Sequence, residues 1–84
     1  MTGELMKDYQ AIVSQLCELI EPLLDEPKPL TETTDLVSDL NLDSLRIMNL
    51  VGEVEDHYDI SIPLNVLPQV RTIKDFATLL QTML

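Results

Sequence analysis

Few residues in this chain are equipped for chemistry, and their spacing separates three kinds of it. Cys17 and His57 are the one thiol and the one imidazole, a pairing that serves nucleophilic catalysis when the base reaches the sulfur. Nothing in the sequence places them together. Cys17 falls at the edge of an apolar stripe, where a free cysteine behaves as a small buried hydrophobe. His57 falls at the end of a helical stretch, where a cation facing solvent is mildly favoured. Both read as structural.

The second kind is cation binding. Asp39, Asn41 and Asp43 alternate like the opening of a calcium loop. The remainder of that pattern fails, because Ser44 stands at the sixth position where the turn needs Gly, and Leu50 at the twelfth where a bidentate Glu is required. The third kind is covalent attachment at Ser44. A serine in the first turn of a helix has its hydroxyl beside unpaired backbone N–H groups and the positive end of the helix dipole, so a phosphate there is electrostatically favoured. Taken alone, Asp43 and Ser44 are no more than good capping residues.

Helices must position these residues. From Leu5 the apolar residues Leu5, Met6, Tyr9, Ile12, Val13, Leu16, Cys17, Leu19, Ile20, Leu23 and Leu24 recur at helical spacing. The first helix kinks or ends near Pro22, which lacks an N–H and disfavours helical geometry at Glu21. A long segment with Pro27 and Pro29 follows. Its Leu30, Leu36, Val37, Leu40 and Leu42 are too apolar for a free linker and are expected to pin it to the core. A second helix runs from the Asp43 and Ser44 caps to about His57 or Tyr58, with Ile47, Leu50, Val51, Val54 and Tyr58 as its core stripe and Leu45, Met48 and Gly52 turned partly outward. Pro63 and Pro68 allow at most a short turn over 65–70. Thr72 with Asp75 resembles a capping box that opens a last helix, whose stripe is Ile73, Phe76, Ala77, Leu80 and Leu84. The expected fold is all-α: a small bundle of three main helices plus one short helix, in a single domain over 1–84.

Composition narrows the function. The chain has 84 residues, 45% of them hydrophobic, and fifteen Asp and Glu against five Lys and Arg give a net charge of −10. That balance opposes binding to nucleic-acid backbones or anionic membranes and favours a basic partner. One cysteine excludes an intrachain disulfide and a cysteine-based zinc cluster. No apolar run approaches the roughly 18 to 20 residues that span a bilayer, and the first ten residues lack a signal peptide's pattern. A cytoplasmic monomer is expected.

Asp39-Leu40-Asn41-Leu42-Asp43-Ser44-Leu45, opening an amphipathic helix that reaches Tyr58-Asp59-Ile60 and continues into Ser61-Ile62-Pro63, resembles the acyl carrier protein family. Asp43-Ser44-Leu45 matches the family's attachment signature, and the likeness of element order covers nearly the whole chain. The resemblance implies a carrier and not an enzyme. Ser44 would receive phosphopantetheine from coenzyme A through a phosphopantetheinyl transferase using magnesium, and the arm would hold acyl groups as thioesters. Partners would be acyl-processing enzymes such as ketosynthases, acyltransferases or acyl ligases. They would dock on a surface made of Asp43, Leu45, Arg46, Met48, Asn49, Gly52, Glu53, Glu55 and Asp56, with charge speeding encounter and a small apolar contact fixing register.

Several positions depart from the family pattern. Asn41 stands where Gly is usual, and Asn tolerates left-handed backbone better than most residues. Arg46 replaces a common acid, and Asn49 and Gly52 replace an acid and a bulky apolar residue. A free-standing carrier for a specialised fatty-acid or polyketide-type pathway is therefore expected. The alternatives are a peptidyl or aminoacyl carrier, against which Asp43 and the net acidity speak, and a non-carrier helical interaction module.

Overall fold

The computed structural model describes residues 8–84. Helix α1 spans Tyr9–Ile20, and Asp8 caps it by accepting from the Gln10 N–H. The apolar spacing continues into the helix as expected, burying Ile12, Leu16 and Ile20; Leu5 and Met6, read as its first turn, lie outside the described residues. Pro22 acts as expected. The α-helix stops at Ile20, and Glu21–Leu23 continues as one 3-10 turn with Pro22 in its first two positions, where a missing N–H costs nothing.

Helix α2 spans Ser44–Tyr58, a 3-10 segment spans Leu64–Gln69, and helix α3 spans Ile73–Met83. Among the described residues there is no strand, and a single isolated bridge joins Asp35 to Thr72. The bundle is all-α, with three main helices and short 3-10 pieces between them. Helix α1 packs chiefly on α3 and also on α2. Leu50, Val51, Val54 and Tyr58 of α2 meet Ile73, Phe76, Ala77 and Leu80 of α3 in one core. Helix α3 starts from a complete capping box: the Thr72 side chain accepts from the Asp75 N–H, and Asp75 accepts from the Thr72 N–H.

The connection between the first 3-10 turn and α2 is the part that reaches the site, and it is ordered by two devices. Leu36, Leu40 and Leu42 are buried as expected. Val37 is not: it is 55% exposed. The segment winds around Asp35, whose carboxylate accepts from the N–H groups of Val37 and Ser38. That turn sends adjacent side chains in opposite directions, so Leu36 enters the core and Val37 leaves it. The second device is a run of backbone bonds to the start of α3. Leu36 N–H donates to Arg71 O at 2.8 Å, Ile73 N–H to Thr34 O at 3.1 Å, and Lys74 N–H to Glu32 O at 2.8 Å.

Backbone N–H donors hold both junction carboxylates below the usual Asp range: Ser38 and then Val37 for Asp35, Arg71 and then Thr72 for Asp75. A depressed folded pKa means stabilisation that is complete above the unfolded value of about 3.9 and is lost as pH falls through the folded value. The urea midpoint of the parent should therefore exceed that of Asp75→Ala at neutral pH. The gap should narrow below about pH 4, the ordinary range of an Asp carboxyl; a constant gap would mean that Asp75 acts by packing alone.

Candidate functional site

Three local features set Ser44. Asn41 adopts a left-handed backbone with φ 55°, which turns the chain between the buried side chains of Leu40 and Leu42. Asp43 is extended, with φ −84° and ψ 177°, and its carboxylate accepts from the Arg46 N–H at 2.9 Å. Its carbonyl accepts from the Ile47 N–H at 3.0 Å. Ser44 is then the first helical residue, and its side chain is exposed. Among the described residues nothing accepts from the Ser44 or Leu45 N–H or bonds to the Ser44 hydroxyl.

Asn41 is itself exposed, so its substitution tests backbone geometry without a packing effect. Left-handed geometry costs an ordinary L-residue about 1 to 2 kcal/mol, and β-branching worsens the clash. Asn41→Val should lower stability by about that much in urea unfolding, and Asn41→Gly should not lower it. Equal losses in both would remove the role given to the turn.

Of the residues singled out for other chemistry, neither His57 nor Cys17 stands near Ser44. His57 lies at the far end of α2, 13 residues on, so the helical rise puts it about 20 Å away. It is exposed and sits edge-on to Tyr58, with ring centroids 4.8 Å apart. Cys17 is half-buried in α1, and burial, helped by the Glu21 charge, pushes its thiol up. Neither reaches Ser44. Two of the three oxygen donors with calcium-like spacing are engaged as caps: Asp39 accepts from the Asp35 N–H and Asp43 from the Arg46 N–H. Among the described residues no group of three or more His, Cys, Asp or Glu could hold a metal ion.

The expected docking residues share the surface of α2. Leu45 is 70% and Met48 43% exposed, with Asp43, Asn49, Glu53 and Asp56 also exposed and Gly52 half-buried. A Cβ added at Gly52 would meet nothing within 4 Å, so the fold itself does not require glycine there. Glu55 has a second duty: its carboxylate accepts from the Ile62 N–H at 2.7 Å and its carbonyl from the Ile60 N–H. Asp59, in left-handed conformation, ends the helix just before that contact.

Arg46 is not a free cation. Its guanidinium forms a two-pronged pair with Asp25, Nη2 to Oδ1 at 2.8 Å and Nη1 to Oδ2 at 3.2 Å. The hydrogen bond and then the charge of Arg46 lower the Asp25 carboxyl below its usual range. This contact joins residues 21 apart in sequence, and no local pattern announces it.

The sequence also gave no notice of an open cleft of about 410 Å³ beside α2, with Val37, Ile47, Leu67, Pro68 and Val70 among its lining residues. Arg71 and Asp35, 3.9 Å apart, stand at the same cleft. The one available sign was the count of Leu and Val in the Pro-broken stretch 63–70, more than a solvated turn needs. Exposed Leu64 belongs to that stretch as well.

The donor set at Ser44 fits a phosphate ester: a solvent-facing hydroxyl, two backbone N–H groups without a protein acceptor, and a helix start that favours an anion. Comparison with known proteins agrees in kind. The family described as "Phosphopantetheine attachment site" matches residues 14–80. The meromycolate extension acyl carrier protein of Mycobacterium leprae is 33% identical over 73 residues, covering 86% of this chain and 64% of that protein. The protein of the same name from Mycolicibacterium aurum is 34% identical over 73 residues, covering 86% of this chain and 75% of its own length. Against the M. leprae relative the match thus spans somewhat under two thirds of the whole. A Mycobacterium tuberculosis structure described as an acyl carrier protein superposes with a TM-score of 0.79 at 27% identity, over 87% of this chain and 99% of its own.

Proposed function

This chain belongs to the phosphopantetheine-attachment family, and on that footing we propose that it is an acyl carrier protein loaded at Ser44. The observation that carries the reading is the placement of Ser44: exposed, first in α2, directly behind the Asp43 cap, in the Asp-Ser-Leu setting. Phosphopantetheine, when attached, supplies a mobile thiol that holds an acyl group as a thioester. The chain's own part is positional. Asp43 holds the helix start rigid through the Arg46 N–H, and the left-handed Asn41 aims the serine outward. Among the described residues no side chain bonds to the Ser44 hydroxyl, and its proton is assigned to a base of the transferase. Tethering raises the local concentration of the cargo for whichever enzyme docks.

The docking face reads as acidic with an apolar centre. Leu45 and Met48 offer contact area, and Asp43, Glu53 and Asp56 supply the field that draws a basic partner. The cleft between Val37, Ile47 and Leu67 falls within the size range of small-molecule pockets and is the place for part of an apolar cargo. A specialised fatty-acid or polyketide-type pathway is the finer reading. Gly52, where structural need is absent, leaves room for a particular partner, and the names of the mycobacterial relatives refer to meromycolate extension. Whether the cargo is of that type is tested by partner turnover. A loaded protein that supports general fatty-acid elongation as well as a housekeeping carrier does would overturn the specialised reading and leave the carrier role.

The carrier role has its own test. Purified protein mixed with coenzyme A, magnesium and a phosphopantetheinyl transferase should gain the mass of one arm. Association with that transferase should slow markedly as salt rises to physiological strength, where the Debye length is about 8 Å. A rate indifferent to salt would reduce Glu53 and Asp56 to solvated surface.

A further inference from the structure

On a chain of net charge −10, cations are scarce, and where they gather is informative. Lys28, Arg46, Arg71 and Lys74 are the Lys and Arg side chains among the described residues. Two of them, Lys28 and Arg46, bind across the segment that leads into Ser44. Lys28 Nζ donates to the Asp39 carbonyl at 3.1 Å, and Arg46 forks onto Asp25. Arg46 is the only one of the four on α2, two residues beyond Ser44.

The Arg46–Asp25 pair is well formed and open to solvent. Both carboxylate oxygens and two guanidinium nitrogens take part, while Asp25 is 79% exposed and Arg46 35%, so water and dissolved ions reach and screen the pair. The guanidinium already feels the anion that precedes Ser44. After the hydrogen bond and charge of Asp25, the Asp43 carboxylate adds to the forces that raise the Arg46 pKa. Positions two apart lie on different sides of a regular helix. Ser44, however, is the first helical residue, and helical side chains lean toward the N-terminus, so no preceding turn stands between the Arg46 side chain and a substituent on Ser44. A phosphodiester carries a full negative charge and two unesterified oxygens, which suit the same two-pronged recognition as a carboxylate.

We propose that Arg46 is a phosphate ligand held in reserve, forked onto Asp25 while Ser44 is a free alcohol and transferred to the phosphodiester once Ser44 is loaded. This rests on the carrier reading above. The exchange releases Asp25 to solvent without freeing its segment, because Lys28 ties that segment to Asp39 independently. It also offsets the added anion in a neighbourhood that already holds Asp43, Asp25 and Glu26.

The test uses the whole chain in unloaded and loaded forms. Added mass is read first, then the guanidinium ¹⁵N–¹H resonances of Arg46 and the ³¹P resonance of the phosphodiester. Before loading, Asp25→Asn should shift the Arg46 signals and hasten their exchange with water. After loading, the signals should move and become indifferent to Asp25→Asn. The ³¹P resonance should move in Arg46→Gln and return only in part in Arg46→Lys, which keeps the charge but loses the fork. Arg46 signals that remain sensitive to Asp25→Asn after loading, or a ³¹P resonance that ignores Arg46→Gln, would overturn the proposal. A chain that gains no mass at all would instead overturn the carrier reading, and this proposal with it.

Discussion

Replacing Ser44 with alanine should abolish loading completely while leaving the fold as it is. The substitution removes one exposed oxygen that has no hydrogen-bond partner among the described residues, so nothing in the core or in the cap at Asp43 depends on it. Alanine is a good helix former at that position, and stability should change by no more than about 0.5 kcal/mol, the usual range for a surface substitution. Mass spectrometry after incubation with coenzyme A, magnesium and a phosphopantetheinyl transferase reads the outcome. The parent should gain one arm and Ser44→Ala none. An arm retained in Ser44→Ala would place attachment at another hydroxyl and would sink the assignment of this residue.

The opposite division is expected for Phe76→Ala. Phe76 is 2% exposed and sits in α3 among the residues that close the core. Emptying such a site typically costs about 3 to 5 kcal/mol. A domain of this length has only about 4 to 13 kcal/mol in total, from the usual 0.05 to 0.15 per residue. The urea midpoint should therefore fall steeply, and at the low end of that range the stability left would lie within about 1 kcal/mol of zero, with a substantial unfolded fraction at neutral pH. Loading should be lost in proportion to the unfolded fraction, although Phe76 is not part of the α2 surface that carries Ser44. An unfolding free energy within about 1 kcal/mol of the parent's, the usual size of a single-mutation effect, would mean that the core can collapse around the gap.

What the sequence made legible, and what it hid, divide along a physical line. The helices were readable because their apolar period is local: Ile12, Leu16 and Ile20 in α1, Leu50, Val51, Val54 and Tyr58 in α2, Ile73, Phe76, Ala77 and Leu80 in α3. Pro22 and the Thr72–Asp75 box were readable for the same reason, since each acts within a turn or two of itself, whereas the left-handed Asn41 was readable only against the family pattern. The position of Ser44 at a helix start belongs to this group. Val37 was misjudged because hydrophobicity says how much a residue gains by burial and not which way its backbone points. The Asp35 turn decided that. The Arg46–Asp25 pair, the bond from Ile62 to Glu55, and the cleft between Val37, Ile47 and Leu67 exist only once distant segments have met.

The bonds from residues 32–36 to residues 71–74 make the ordered approach to Ser44 a late event in the life of the chain. The segment that delivers Ser44 is fastened to the entry of α3, so α1 and the connection alone cannot order it. During synthesis, residues 71–74 must leave the ribosome before that connection has anything to hold. Contacts this far apart in sequence must offset a loop-closure cost that the local contacts of α2 do not carry. Helix α2 can therefore form early, with Ser44 at its start, while the segment before it is still unanchored. A transferase that requires the finished approach to Ser44 would then modify mature molecules and pass over unfinished ones, with the loop as the checkpoint.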